Sequence, residues 1–189
     1  MKPGTAARLV SSPVLICDRS LRDARLNAVL TRLPPLAGDP IRILHKTGLR
    51  DQRGAVHAGS FLRQREIAFD CSADEFARVL VHELFHFVWF RLGNSRRRSF
   101  EGLLRRELAA GARGELGWSS EWRKAELRRE DMRARTRRWR EYCCESFCDS
   151  AAWLYGGIRR HEEFTLTARF RRRRREWLAG IAAGGPLSI

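Results

Sequence analysis

The stretch at residues 76–89 constrains the fold most, because it is apolar around nearly the whole circumference of a helix. A helix of that kind has no face suited to water and belongs in the middle of a domain. Its few polar side chains include the order His-Glu-x-x-His at His82, Glu83 and His86. Residues four apart lie on one helix face, so the two imidazoles can hold one metal ion while Glu83 lies beside it. The pattern predicts a zinc hydrolase site.

The ends of this helix are also marked in the sequence. Residues 72–75, Ser-Ala-Asp-Glu, have the pattern of a capping box and predict the helix start, and the Gly-Asn pair at 93–94 predicts its end. An alternative interpretation makes both histidines ordinary core residues, with Glu83 paired to an arginine. We favour the metal site because burying two histidines and a glutamate costs free energy unless they have a strong partner.

The length of 189 residues and a hydrophobic content of 43% predict a single α+β domain over residues 1–189. A small mixed or antiparallel sheet is expected before the buried helix, and a mainly helical half after it. We divide the domain into a strand-rich part with one helix (1–70), the metal-site helices with a helical insertion (71–160), and a basic C-terminal helix and tail (161–189).

Local patterns predict the remaining elements. Strands are expected at 13–17 and 41–44, and a hairpin at 55–61 with 65–69. Further helices are expected at 20–33, 100–110, 120–155 and 166–178. A glycine-rich break is expected at 111–117, and residues 182–189 are expected to form a frayed tail.

A catalytic zinc ion usually has three protein ligands and keeps its fourth position for water, so a third ligand is needed. No histidine follows His86 at short spacing, which excludes the histidine-rich variant of the motif. Fifty-nine residues beyond His86, Glu145 and Asp149 stand four apart in the sequence Glu-Ser-Phe-Cys-Asp-Ser-Ala-Ala. Such a pair again lies on one helix face.

Together the two motifs resemble the gluzincin peptidases, whose metal is held by the two histidines of His-Glu-x-x-His and a glutamate on a later helix, followed by Asp or Asn and alanines. The resemblance covers residues 40–155, and the order of elements is similar to that of small soluble zincins such as the SprT-like and repressor-cleaving peptidases. It implies a zincin-like fold in which one Zn²⁺ is held by His82, His86 and Glu145. It further implies that Asp149 accepts a hydrogen bond from His82 and that Glu83 is the general base of peptide hydrolysis. An extended substrate would pair with the strand at 65–69.

Glu141 is a rival third ligand, because it lies one helical turn before Glu145, although Arg137 offers it a surface ion pair. The alanines of the later motif favour Glu145. Cys144 and Cys148, also one turn apart, could bind a soft metal but are expected to be small core residues.

An oxyanion stabiliser is expected across the cleft from the metal. Tyr155 or His161 could serve if the chain folds back at the two glycines 156–157.

The net charge of +15 comes almost entirely from arginine, which supplies 34 of the 37 basic residues. The arginines concentrate at 96–98, 123–140, 169 and 171–175. They predict either contact with nucleic acid or another acidic partner, or solvated helix faces balanced by interspersed glutamates.

No apolar stretch approaches the roughly 20 residues of a membrane span, and residues 9–17 lack the pattern of a signal peptide, so no membrane association is expected. Three of the five cysteines fall within six residues, which suits no framework of structural disulfides and favours the cytoplasm.

Three classes of function remain. The first is a soluble zinc endopeptidase acting on a protein or peptide substrate. The second is a basic nucleic-acid-associated protein whose zincin site is vestigial or structural. The third is a metal-free helical interaction protein.

Overall fold

The apolar helix lies at the centre of the structure, as the sequence predicts. The computed structural model describes residues 15–17, 24–51 and 54–189. Helix α2 (Phe76–Arg91) packs most extensively against helix α6 (Arg137–Tyr155). Its buried side chains include Leu80, Val81, Leu84, Phe85 and Phe87, each with no exposed surface. Because both metal-site motifs lie on these two helices, their packing brings the motifs together.

A four-stranded sheet packs beside α2. Its order is β1 (Leu15–Cys17), β3 (Ile41–His45), β7 (Glu66–Phe69) and β6 (Ala58–Phe61). The first three strands are parallel, and β6 runs antiparallel to β7 in the register Ser60↔Ile67. The predicted mixed sheet and hairpin are confirmed. Residues 13–14 of the first predicted strand lie outside the described residues.

Strand β6, not β7, is the edge of the sheet beside α2. Strand β7 is hydrogen-bonded on both sides, to β3 and to β6. The prediction that a substrate pairs with residues 65–69 is therefore wrong, because an interior strand has no free main-chain groups to offer.

The C-terminal residues form a small sheet instead of the predicted frayed tail. Strand β8 (Leu187–Ser188) pairs in parallel with β2 (Leu36–Ala37), and the Leu187 amide donates to the Pro35 carbonyl at 2.8 Å. Leu187 and Ile189 are buried against the core. Their alternation directs both apolar side chains inward, and this tertiary contact outweighs the fraying expected of a terminus. A further two-stranded pair joins β4 (Arg50–Asp51) and β5 (Gly54–Ala55).

The remaining helices are α1 (Ala24–Leu30), α3 (Asn94–Ala109), α4 (Trp118–Ala125), α5 (Arg129–Ala134) and α7 (Ala168–Ala183). The described chain is thus α+β with a small mixed sheet and seven helices. Residues 20–23 of the predicted first helix lie outside the described residues, and α3 begins six residues earlier than predicted. None of the described helices combines the length and hydropathy that a membrane span requires.

The predicted helix over 120–155 is three helices. Arg135 adopts a left-handed conformation (φ 49°), and Thr136 caps α6 by accepting a hydrogen bond from the Trp139 amide at 3.4 Å. Asp131 accepts from the Thr136 hydroxyl at 2.6 Å and from the Arg128 amide at 2.9 Å. These local hydrogen bonds stabilise the break between α5 and α6 and outweigh the main-chain hydrogen bonds that a continuous helix would form there.

The predicted capping box at 72–75 does not form. The N-cap of α2 is Glu75, and no side chain caps the helix there. The Glu75 carboxylate instead contacts Arg78 and His161, at 2.8 Å and 3.1 Å. The guanidinium of Arg78 and the ring of His161 together offer this carboxylate more than one amide does.

Candidate metal centre

Helices α2 and α6 bring His82, His86 and Glu145 together as a possible metal site. The Nε2 atoms of the two histidines are 3.3 Å apart, and Glu145 Oε2 lies 3.3 Å from His82 Nε2 and 3.9 Å from His86 Nε2. The three side chains are only 14–19% exposed. Three donor atoms this close to one another could hold a metal ion.

Asp149 fixes the orientation of His82. Its Oδ1 lies 2.8 Å from His82 Nδ1, the predicted contact. Its Oδ2 accepts from the Ser120 amide at 2.9 Å and from the Ser120 hydroxyl at 2.7 Å. Gly117 leaves the space that Asp149 occupies, since a Cβ there would lie 2.2 Å from the carboxyl carbon. Because the carboxylate engages Nδ1, the other ring nitrogen of His82, Nε2, faces the other two donors and is the one available to a metal ion.

Charge within the cluster shifts the pKa values of all three candidate ligands. Burial alone would raise the pKa of Glu145, but His86, His82 and Arg123 lower it to about 2. Burial alone would lower the pKa of both histidines, yet the carboxylate of Asp149 holds the pKa of His82 well above its usual range. Cys144 and Glu145 likewise raise the pKa of His86 to about 9. A metal ion must therefore displace protons to bind here.

Arg123 of α4 is a site residue that the sequence did not reveal. Its Nη2 lies 3.3 Å from Glu145 Oε1, and its Nη1 donates to the Ser119 carbonyl at 2.7 Å. The guanidinium also lies over the Trp122 ring, 4.2 Å from the centroid. By holding Oε1, Arg123 directs Oε2 of Glu145 toward the histidines. Nothing in the sequence distinguishes this arginine from the 33 others.

Ser60 of the edge strand β6 is the second residue that was missed. Its hydroxyl contacts the Glu83 carboxylate and lies 2.8 Å from the Glu83 main-chain carbonyl. The contact ties the free edge of the sheet to the predicted general base. A serine in a predicted hairpin carries no local signal of this role.

The rival ligand Glu141 points away from the cluster. Its Oε1 accepts from Arg137 Nε at 2.6 Å, and its side chain is 45% exposed. This is the surface ion pair that the spacing of the two residues offers. Among the described residues, Glu141 belongs to no group that could hold a metal.

Neither predicted oxyanion stabiliser contacts the three candidate ligands among the described residues. His161 Nε2 lies 3.1 Å from Glu75 Oε1, and its Nδ1 accepts from the Glu163 amide at 3.2 Å. Tyr155 stacks on Phe85 with ring centroids 5.6 Å apart. Both ring nitrogens of His161 are therefore engaged near the start of α2.

A second group of possible ligands shares His86. Cys144 Sγ lies 3.5 Å from His86 Nδ1, and His86, Cys144 and Cys148 could also hold a metal ion. A hydrogen bond from Cys148 lowers the pKa of the Cys144 thiol to about 6, with His86 contributing. Cys148 has no exposed surface, whereas all three members of the group with Glu145 are partly exposed. The group with Glu145 is therefore the more accessible of the two to a water molecule or a substrate.

The fold and the site together define an α+β protein with a candidate metal centre between two core helices. Comparison with protein-family models, with curated proteins and with solved structures found no match.

Proposed function

We propose that the protein is a zinc metallopeptidase that hydrolyses peptide bonds, with one Zn²⁺ held by His82, His86 and Glu145. The observation that carries the proposal is the spacing of the three donor atoms, 3.3, 3.3 and 3.9 Å. At zinc–ligand bond lengths, tetrahedral geometry separates neighbouring donors by about 3.3–3.5 Å. Two separations match this value, and the third is slightly wider.

Glu83 acts as the general base. Zinc held at this site would lower the pKa of water toward about 7. The Glu83 carboxylate takes a proton from the attacking water and returns it to the leaving amine. Ser60 holds this carboxylate in place through the contact described above. Asp149 and Arg123 position His82 and Glu145 but touch no substrate.

An extended peptide pairs with the free edge of β6. The Asp70 amide donates to the His57 carbonyl at 2.7 Å, which makes these two residues a hydrogen-bonded pair of the hairpin. By the alternation of an antiparallel ladder, the main-chain groups of Ala58 and Ser60 then point away from β7. A peptide added there passes the Ser60 side chain and Glu83. The bound peptide can continue past both ends of a strand edge. Cleavage within a polypeptide chain is therefore favoured over cleavage at its ends.

No disulfide joins any two cysteines of the described residues, which supports a reducing compartment, and we place the activity in the cytoplasm.

The test is Glu83→Gln, which removes the base but no ligand. The variant is expected to keep stoichiometric zinc and to lose peptide cleavage by a factor of about 10²–10⁴. The measurements are metal analysis of the purified protein and cleavage of an unstructured protein substrate. Glu141→Gln, which neutralises an exposed acid, is the matched control and should cleave at the wild-type rate. Unchanged cleavage by Glu83→Gln would overturn the proposal.

A further inference from the structure

A basic pocket lies apart from the metal centre, between the end of α6, helix α7 and the segment after α1. It has a volume of about 480 Å³, the size of a small-ligand site. Its lining includes Arg32, Trp153, Gly157, Arg159, Arg171 and Arg175. We propose that this basic pocket binds the phosphate groups of a nucleotide, either free or within single-stranded nucleic acid.

Among the described residues, no carboxylate forms an ion pair with the four arginines of the basic pocket. None of its lining residues, all within the described part of the chain, is acidic. Arginines elsewhere have carboxylate partners, such as Arg78 with Glu163 and Arg135 with Glu101. Four guanidinium groups around one cavity repel one another, and a bound anion relieves that repulsion.

Two of the four arginines lie on one face of α7 and are held in place by residues outside that helix. Arg171 donates to the main-chain carbonyls of Leu166 and Phe164. Arg175, one turn later, lies over the Trp153 ring, 4.9 Å from its centroid. Their positions exist before a ligand arrives, which lowers the entropic cost of binding.

Arg32 is placed by the absence of a side chain at Gly157. A Cβ at this glycine would lie 2.4 Å from Arg32 Nη1, and its φ of +79° disfavours other residues. The guanidinium therefore lies directly against the main chain of the loop after α6. This close approach completes the side of the basic pocket opposite α7.

Phosphate fits this arrangement better than a carboxylate does. A guanidinium binds phosphate oxygens through two parallel hydrogen bonds, and a nucleotide carries enough negative charge to meet several cations. The volume suits about one nucleotide and not the width of a duplex. Trp153 adds the aromatic surface that is common where single-stranded nucleic acid binds.

The test uses the full chain and a fluorescent oligothymidylate of about twelve nucleotides, with binding followed by anisotropy. The variant is Arg32→Gln/Arg159→Gln/Arg175→Gln. The control is Arg133→Gln/Arg138→Gln/Arg140→Gln, which removes the same charge from exposed positions on α5 and α6. We expect the pocket variant to weaken binding at least tenfold and to reduce the salt slope by about 2, and the control to change affinity less than threefold.

Competition by ATP and by pyrophosphate identifies the source of the phosphate. If ATP displaces the oligonucleotide from the wild type but not from the pocket variant, a free nucleotide is enough to occupy the basic pocket. If the oligonucleotide binds and ATP does not displace it, the basic pocket is assigned to a strand. Both results support the proposal. Equal loss in the two triple variants, or no loss in either, overturns it.

A single substitution keeps the test valid if the triple variant fails to fold. Arg159 is exposed and has no ion pair with a described carboxylate, so Arg159→Gln should fold and weaken binding about threefold. Unchanged affinity of this folded variant counts against the proposal. The assay needs neither zinc nor cleavage, so its outcome is independent of the peptidase proposal.

Discussion

The four ring nitrogens of His82 and His86 divide into two that are held by neighbours and two that face a common space. His82 Nδ1 contacts Asp149, and His86 Nδ1 contacts Cys144. The two Nε2 atoms lie 3.3 Å apart, with Glu145 beside them. Each histidine thus has its outer nitrogen fixed and its inner nitrogen directed at the candidate metal centre.

Alanine substitutions distinguish the two groups of ligands that share His86. Glu145→Ala is expected to abolish stoichiometric zinc, because it removes one of three ligands from the reachable group. Cys144→Ala/Cys148→Ala is expected to retain zinc, because Cys144 contacts Nδ1 of His86 and not the Nε2 atom that lies beside Glu145. Metal analysis after equilibration with excess zinc measures both, with Glu141→Ala as the control on the same helix. Zinc retained by Glu145→Ala and lost by the double cysteine variant would assign the metal to the thiols.

At the level of elements, the helices around the metal centre are joined by a buried cation. Arg174 of α7 has no exposed surface and lies 2.8 Å from Glu107 of α3 and 2.6 Å from Glu115 of the loop before α4. Tyr142 of α6 donates to Glu115 at 2.6 Å. The loop held in this way leads into α4, which carries Ser120 and Arg123 to the site.

Arg174→Met should destabilise the protein by about 3–5 kcal/mol, because it leaves two buried carboxylates without their common partner. The free energy of unfolding is measured by urea denaturation. The control is Arg172→Met, whose ion pair with Glu176 is largely exposed and should contribute about 0–1 kcal/mol. Similar losses in the two variants would contradict the structural role of the buried pair.

The sequence predicted features that depend on residues close together in the chain, and it missed features that depend on residues far apart. The apolar helix and the hairpin follow from periodicity, which is a local property, whereas the contact of His82 with Asp149, 67 residues apart, was expected only from the resemblance of the two motifs to the gluzincins. Arg123 and Ser60 reach the site from elements 22 and 23 residues away from the side chains they contact. Such contacts depend on tertiary packing, which no local pattern encodes. The same holds for the breaks within 120–155 and for the C-terminal strand.

For the whole molecule, the net charge of +15 makes the ion pairs of the acidic residues unusually important for stability. Ion pairs with arginine or histidine outweigh burial and lower the pKa of four glutamates: Glu75, Glu101, Glu115 and Glu145. Burial raises the pKa of Glu107 and offsets part of this effect. A carboxyl group whose pKa is lowered by folding contributes stability above its unfolded value, and that stability is lost as the pH falls through the folded value. Protonation also adds to the repulsion among the arginines.

The protein should therefore lose stability steeply below about pH 4.5, the ordinary pKa of glutamate. Glu101, which accepts two hydrogen bonds of 2.7 Å from Arg135, allows the cause to be isolated. Glu101→Gln should unfold at a lower temperature than the wild type at pH 7, and the difference should shrink as the pH falls toward 3, because the wild type then loses the same ion pair. Thermal unfolding followed by circular dichroism from pH 3 to 7 measures this, with Glu141→Gln as the exposed control that should match the wild type throughout. A difference for Glu101→Gln that stays constant to pH 3 would show that its ion pair is not what acid removes.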